Sequence, residues 1–234
     1  MRQPSRHGWH VLRVLIRFAG FMSGLRVSQN RTYCLHFSYI RHGLTGQQRF
    51  VIHSYQEYFM STIQVRQENP EDIRAIDVVH LSAFEGDDEV GLIDSLRASS
   101  GFIADLSLVA EFNGRIVGHV LLTRVRLLKG KEKEGLDILA LAPMAVVPSQ
   151  SHRGIGSELV KAAIDKARTL GHKAIVVVGH PEFYQRFGFK SASKLGLETN
   201  LAVSDDLVTV MELINGTLSG GGNIIYPSLF NCVY

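Results

Sequence analysis

With 234 residues, 45% hydrophobic and 20% charged, the chain has the make-up of a soluble globular protein, which excludes a disordered tail, a collagen and a disulfide miniprotein. Only Cys34 and Cys232 are present, too few for a disulfide framework or a Cys-ligated zinc site, so a reducing, cytoplasmic setting is expected. No run approaches the roughly 18 to 20 apolar residues of a membrane-spanning helix.

The net charge of +3 is unevenly spread. Residues 1–59 hold eight arginines, no lysine and one acid, Glu57, for +7; the remaining 175 residues hold 17 basic and 21 acidic side chains, for −4. A mildly acidic body argues against nucleic acid as the partner of the main domain. Val11 to Phe21 is apolar, but Arg13 and Arg17 interrupt it, so it makes a poor signal-peptide core. His, Tyr and Phe are scattered through residues 30–59 without helical or alternating period, and residues 1–59 are read as a basic extension, disordered or belonging to an over-extended start. Charge balance and patterned structure begin together at Met60.

From there the elements follow in order. Ile63 to Arg66 is a short strand candidate. Asn69-Pro70-Glu71-Asp72 opens a helix to about Phe84, with Ile73, Ile76, His80 and Phe84 at helical spacing. A second helix starts at Asp87 and Asp88, with Val90, Ile93 and Leu96 inward, and ends near Gly101. Leu106 to Phe112 and Arg115 to Arg126 flank Asn113-Gly114, a hairpin turn signal. Lys129 to Gly135 is a charged loop. Asp137 to Val147 is a strand in which Pro143 implies an edge or a bulge. A helix from Gly154 to Leu170 sets Leu159, Val160, Ala163, Ile164 and Ala167 on one face, with Glu158, Lys161, Asp165 and Arg168 opposite. Ala174 to Val178 is a buried parallel-type strand, His180 to Phe187 a short helix and Leu207 to Ile214 another strand. Ser219-Gly220-Gly221-Gly222 is too short to link domains. An antiparallel hairpin feeding one strand-helix-strand crossover predicts a single α/β domain with a mixed, mostly antiparallel sheet flanked by helices.

Two segments carry chemistry. Ser151-His152-Arg153-Gly154-Ile155-Gly156 is a strand-to-helix turn whose glycines let backbone N–H groups approach an anion at the positive end of a helix. Each charge-assisted N–H bond contributes about 1.5–3 kcal/mol, so four or five would anchor a pyrophosphate. It lacks a third glycine and a G-K-[ST] sequence, so it is neither common nucleotide motif. The second segment runs from Gly179 to Phe189. There Tyr184, on a short helix after a parallel strand, is placed either as a packed core tyrosine or as a phenol presented where two strands diverge.

In combination these segments resemble the GNAT superfamily of acetyl-CoA-dependent N-acetyltransferases, whose pattern is a strand, [Q/R]-x-x-G-x-[G/A], a helix, a strand and F-Y-x-x-x-G-F. The resemblance narrows to the YhbS-like branch through Leu141-Ala142-Pro143-Met144-Ala145-Val146, Gly179 to Phe189, Ile116 to Val120 and Tyr226-Pro227. It covers residues 60–234 and implies a GNAT acyl-CoA N-acyltransferase fold. It further implies that Met144, Ala145 and Val146 pair their backbone with the pantetheine arm, and that Ser151, His152, Arg153, Gly154, Ile155 and Gly156 cradle the pyrophosphate. Tyr184 would protonate the departing thiolate. Ser151 stands where the pattern has Gln or Arg, and it still supplies its N–H.

On this resemblance the chain transfers an acetyl or other acyl group from acetyl-CoA to a small-molecule or protein amine by direct attack, with no metal. A homodimer is left open. A phenol with pKa near 10 is a suitable donor to a thiolate whose thiol titrates near 8.5. At pH 7 an alkyl ammonium costs roughly 4.6 kcal/mol to deprotonate and an α-amine about 1 kcal/mol. Asp137, Glu111, His119 and Glu85 are candidate bases, none assigned as catalytic. The acceptor pocket is expected from residues 70–104 and 127–136, and acid-rich Glu85 to Glu89 hints at a cationic acceptor. The rival readings are a non-catalytic acyl-CoA sensor and a nucleic-acid or membrane module built on residues 1–59.

Overall fold

In the computed structural model the described residues are 62–130 and 135–234, preceded by the backbone of three strands. The chain divides into two compact units, Met1–Thr62 and Ile63–Tyr234. In the first unit β1 (Leu12–Ile16), β2 (Arg31–Arg41) and β3 (Gln48–Phe59) pair antiparallel in that order, where the missing sequence period predicts no element.

The second unit carries a nine-stranded sheet. It opens with β4 (Gln64–Gln67), a 3-10 turn at Pro70–Asp72, α1 (Ile73–Ala83) and α2 (Asp88–Arg97). At the first turn the Asn69 N–H donates to Asp72 Oδ2 (2.8 Å), so the Asp72 carboxylate satisfies a backbone donor at the helix entry. The carboxylate also takes two bonds from Arg66. A hairpin of β5 (Ser107–Phe112) and β6 (Arg115–Leu128) turns through Asn113 (φ 53°) and Gly114 (φ 72°). Both turn residues are left-handed, as a two-residue type I′ turn requires.

Strand β7 (Leu136–Val146) pairs antiparallel with β6. The register shifts where Val120 faces Met144 but Leu122 faces Leu141, which makes Pro143 part of a bulge. Then come α3 (Ile155–Thr169), β8 (Ala174–Val178), α4 (Pro181–Gln185), β9 (Lys190–Ser191), β10 (Leu197–Thr199), β11 (Val208–Glu212) and β12 (Gly222–Ile225). Strands β7 and β8 run parallel, as do β10 and β12, and every other pairing is antiparallel. The sheet is mixed and mostly antiparallel, as the sequence predicts.

Alternation along the strands sends successive residues to opposite faces. Leu122, Leu139, Leu141, Ile175 and Val177 meet Leu159, Val160, Ala163, Ile164 and Ala167 of α3. Leu121, Ile138, Ala140, Val176 and Val210 meet Leu92 and Leu96 of α2, together with Tyr226 and Phe230 near the C-terminus. Each fully buried Leu or Ile contributes roughly 1.5–3 kcal/mol through removal from water. Gly118 of β6 lets α3 sit close, since a β-carbon there would lie 3.0 Å from Leu159 Cδ1 and 3.1 Å from Ile155 Cγ2.

The glycine run before β12 is a structural joint. A β-carbon on Gly222 would fall 2.3 Å from the Leu128 carbonyl oxygen, and its φ is 135°. Only glycine fits there, so the chain can enter the sheet between β6 and β10.

Candidate active site

The parallel pair β7 and β8 is joined only at Leu139 with Ile175 and Ala140 with Val176. Past that point β7 continues to Val146, pairing with β6 through Met144, Ala145 and Val146 on one edge only. The opposite edge of this stretch has no strand beside it among the described residues. An extended amide chain laid there would find backbone donors and acceptors in place.

β7 runs through a 3-10 turn at Pro148–Gln150 into α3. His152 (φ 63°) and Gly154 (φ 81°) are both left-handed, which turns consecutive N–H groups toward one side, as in an anion-binding nest. Among the described residues, no backbone N–H from His152 to Ser157 has a backbone acceptor; the first helical bond is Glu158 N–H to Gly154 O at 3.0 Å. A β-carbon on Gly154 would meet nothing within 4 Å, so the space above the turn is open. A β-carbon on Gly156 would lie 3.4 Å from Phe183 Cζ and 3.7 Å from Val146 Cγ2, and the Gly156 N–H belongs to the free set. The Arg153 guanidinium lies over the Phe112 ring at 5.6 Å. Six free donors and an approachable turn suit a pyrophosphate.

Tyr184 is 7% exposed. Its ring packs edge-on to Phe183 (5.0 Å) and Phe189 (5.7 Å). A β-carbon on Gly179, just past β8, would lie 3.0 Å from Tyr184 Cε2. Counting three residues on from the Ala140–Val176 pair sets Gly179 level with Pro143, so the phenol stands where β7 and β8 have separated. Burial pushes the phenol well above its ordinary pKa, with Tyr234 adding in the same direction, so it is protonated throughout the neutral range.

Residues 65–189 match the Acetyltransferase (GNAT) family. The N-acetyltransferase YhbS of Escherichia coli (strain K12), described as uncharacterized, is 31% identical over 169 residues, covering 71% of this chain and 98% of that protein. The chain belongs to the GNAT acetyltransferase family. The crystal structure of E. coli YhbS in complex with CoA superposes with a TM-score of 0.67 at 29% identity, covering 73% of this chain and 93% of that one. A GNAT family acetyltransferase from Brucella melitensis, in complex with acetyl-CoA, gives a TM-score of 0.58 at 25% identity over 73% of this chain and 99% of that one.

Within this GNAT domain the four candidate bases scatter. Asp137 pairs with Arg126 (3.3 Å) at the far end of β7, seven residues and about 23 Å along the strand from Met144. Two grooves of about 490 and 400 Å³ also lie at that end, around Arg124 and Asp137, away from Tyr184. Glu111 pairs with Arg66 (3.4 Å), and Glu85 is exposed. His119 is fully buried on β6, directly opposite Ala145.

Arg186 was not singled out by sequence reasoning. It donates to Ser157 Oγ in the first turn of α3 (2.8 Å) and stacks on Phe183 at 4.2 Å, which sets a cation at the rim of the free N–H groups. Its place within the Gly179 to Phe189 motif is the sequence signal. Among the described residues, no group of three or more His, Cys, Asp or Glu is arranged to hold a metal ion, and no helix is long and apolar enough to cross a membrane.

Proposed function

We propose that residues 60–234 transfer an acetyl group from acetyl-CoA to an amine by direct attack. The unpaired edge of Met144, Ala145 and Val146 takes the pantetheine arm, and the N–H groups of His152, Arg153, Gly154, Ile155 and Gly156 take the pyrophosphate, while the Ser151 N–H, expected from the sequence to join them, is already donated to the Pro148 carbonyl (3.1 Å). The amine nitrogen attacks the thioester carbon, the C–S bond breaks with its electron pair on sulfur, and Tyr184 donates the proton that makes the thiol. The raised phenol pKa keeps this donor loaded at neutral pH. It also makes complete transfer unfavourable to any thiolate that is not itself desolvated in the cleft. With two cysteines in 234 residues, the cytoplasm is the compartment we assign.

The observation that carries this reading is the separation of β7 from β8 beside both the free N–H turn and the Tyr184 phenol. The test is an amine panel with acetyl-CoA, followed by thiol release and by mass spectrometry of the acceptor, alongside calorimetric binding of CoA. Thiol release that depends on the amine, with a 42 Da gain (one acetyl group, about 10⁰–10³ turnovers per second), is the expected result. Tight CoA binding with no turnover would make the protein an acyl-CoA sensor instead.

A further inference from the structure

Helices α1 and α2, strands β5 and β6 and the turn after β4 meet in a file of buried and half-buried polar side chains on the sheet face that α1 and α2 cover. Arg97 of α2 donates through Nε to Glu68 Oε1 (3.1 Å) and through Nη2 to Oε2 (3.0 Å). Ser107 of β5 donates its hydroxyl to Glu68 Oε2 at 2.6 Å. That uses the one serine proton, so in the 2.9 Å contact between Ser107 Oγ and His119 Nε2 the histidine must be the donor. His119 therefore carries its proton on Nε2 and leaves Nδ1 bare. This nitrogen accepts from His80 Nε2, 2.9 Å away on α1. His80 Nδ1 is then a bare lone pair, and it is buried with no hydrogen-bond partner. Asp77 Oδ1, three residues back on the same helix face, is likewise buried and unpartnered. Buried polar atoms are nearly always satisfied, so two unmatched acceptors one turn apart ask for a donor pair.

Their position bears on which donor fits. His119 faces Ala145 across the β6–β7 ladder, about 5 Å from the strand whose far edge is assigned to pantetheine. Helix α1 packs against both β6 and β7. Phe84, the C-cap of α1, stacks on the His80 ring (5.9 Å, 14° between planes) while 36% exposed at the mouth of the Glu85 to Asp88 loop. Phe84 therefore covers the His80 ring on the side of that loop.

We infer that His80 Nδ1 accepts the proton of the attacking amine, that Asp77 Oδ1 accepts its second N–H, and that His119, Ser107, Glu68 and Arg97 hold His80 in the receptive tautomer. The inference rests on the reading of the cleft given above. The C–N bond forms from the amine lone pair, the C–S bond breaks, sulfur takes the Tyr184 proton, and one N–H proton passes to His80 Nδ1. Two acceptors match the two hydrogens of a free primary amine, which is the acceptor class assigned. The charged and titratable groups around His80 are Asp77 on its own helix, His119 on β6 and Arg97 on α2, with Glu68 behind His119. Burial, then His119, then Arg97 push His80 down to about 3, so Nδ1 stays bare across the neutral range. A weak acceptor suffices, because nitrogen on its way to an amide cannot keep the proton.

Nitrogen-15 NMR of the histidines in the full chain should find His80 with Nε2 protonated and Nδ1 bare, and Nδ1 should shift when a primary amine saturates the enzyme. His80→Gln should lower kcat for primary amines about 10²-fold or more, with acetyl-CoA affinity within twofold. Added imidazole should restore turnover to His80→Ala in a concentration-dependent way, which a packing role would not produce. Methylated amines with one N–H should react at least about tenfold more slowly than their primary parents. A protonated Nδ1, an unchanged kcat in His80→Gln, or loss of rate without imidazole rescue would overturn the assignment. If the unsubstituted enzyme binds CoA but acetylates no amine, the reading of the cleft fails and takes this inference with it. If it acetylates amines and His80→Gln keeps its rate, this inference alone fails.

Discussion

Gly179 and Tyr184 pack so closely that a β-carbon on residue 179 would lie 3.0 Å from Tyr184 Cε2 and 3.8 Å from the phenol oxygen. The ring is fixed on its other sides by Phe183 and Phe189, so it cannot yield without moving its hydroxyl. Gly179→Ala should therefore shift the phenol by a few tenths of an ångström. Since misplacement by 1 Å costs about 10²-fold, kcat should fall about tenfold while CoA affinity holds within twofold. Steady-state kinetics beside calorimetry checks this, and an unchanged kcat would mean the phenol's placement is unimportant.

Tyr184→Phe keeps the ring and its aromatic neighbours and removes only the proton donor. With Tyr184 as the general acid, kcat should fall about 10²-fold or more with acetyl-CoA affinity within a few fold. Loss of a hydroxyl that only packs would instead change stability by about 1 kcal/mol and leave turnover nearly intact. Single-turnover rates separate the two outcomes, because product release cannot mask the chemical step there.

Gly154→Val addresses the anion turn. The φ of 81° at Gly154 costs roughly 1–2 kcal/mol for any residue with a β-carbon. No protein atom lies within 4 Å of the added carbon, so the remaining effect falls on the ligand. CoA affinity should drop at least about tenfold, or 1.4 kcal/mol, measured where the variant is still folded. Undiminished affinity would remove the pyrophosphate from this turn.

Much of the fold around the candidate site was legible because it is local. The Asn113-Gly114 turn, the apolar stripe of α3 and the Gly179 to Phe189 segment each declare themselves within a dozen residues, through backbone chirality or helical period. The Glu68, His80, Arg97, Ser107 and His119 file was not legible. Its members lie up to 51 positions apart in sequence and meet only through strand register and helix docking. His80 shows in the sequence as an inward position of a helix and His119 as a polar residue in an apolar strand, but nothing in either pattern pairs them. From the sequence, Ser219 to Gly222 is only too short to link domains; that residues 221 and 222 must be glycine shows only beside the neighbouring carbonyls of Gly196 and Leu128.

A chain beginning at Met60 should fold and bind CoA as tightly as the full protein, because the residues assigned to the cofactor all fall within the compact unit Ile63–Tyr234. Calorimetry on the two chains decides it. An insoluble product, or affinity weaker by at least about tenfold, would show that the first unit contributes.

The buried histidines should make the fold acid-labile in a definite window. Burial lowers His119 as well as His80, which falls to about 3 from an ordinary 6.5. In both cases the unfolded chain binds the proton more readily, so the stabilisation is present above pH 6.5 and is lost as pH falls from there toward 3. For His80 alone the loss between pH 7 and pH 5 is about 2 kcal/mol, at roughly 1.36 kcal/mol per pH unit below 6.5. Glu68, lowered to about 2 from 4.5, adds its loss only below pH 4.5, so the two contributions separate along the pH axis. Urea unfolding midpoints between pH 7.5 and 5 should fall less steeply for His80→Gln than for the unsubstituted chain, since glutamine has nothing to protonate. Equal slopes for the two proteins would mean that His80 titrates in the folded state as it does in the unfolded one, and that the imidazole is not held neutral by its surroundings.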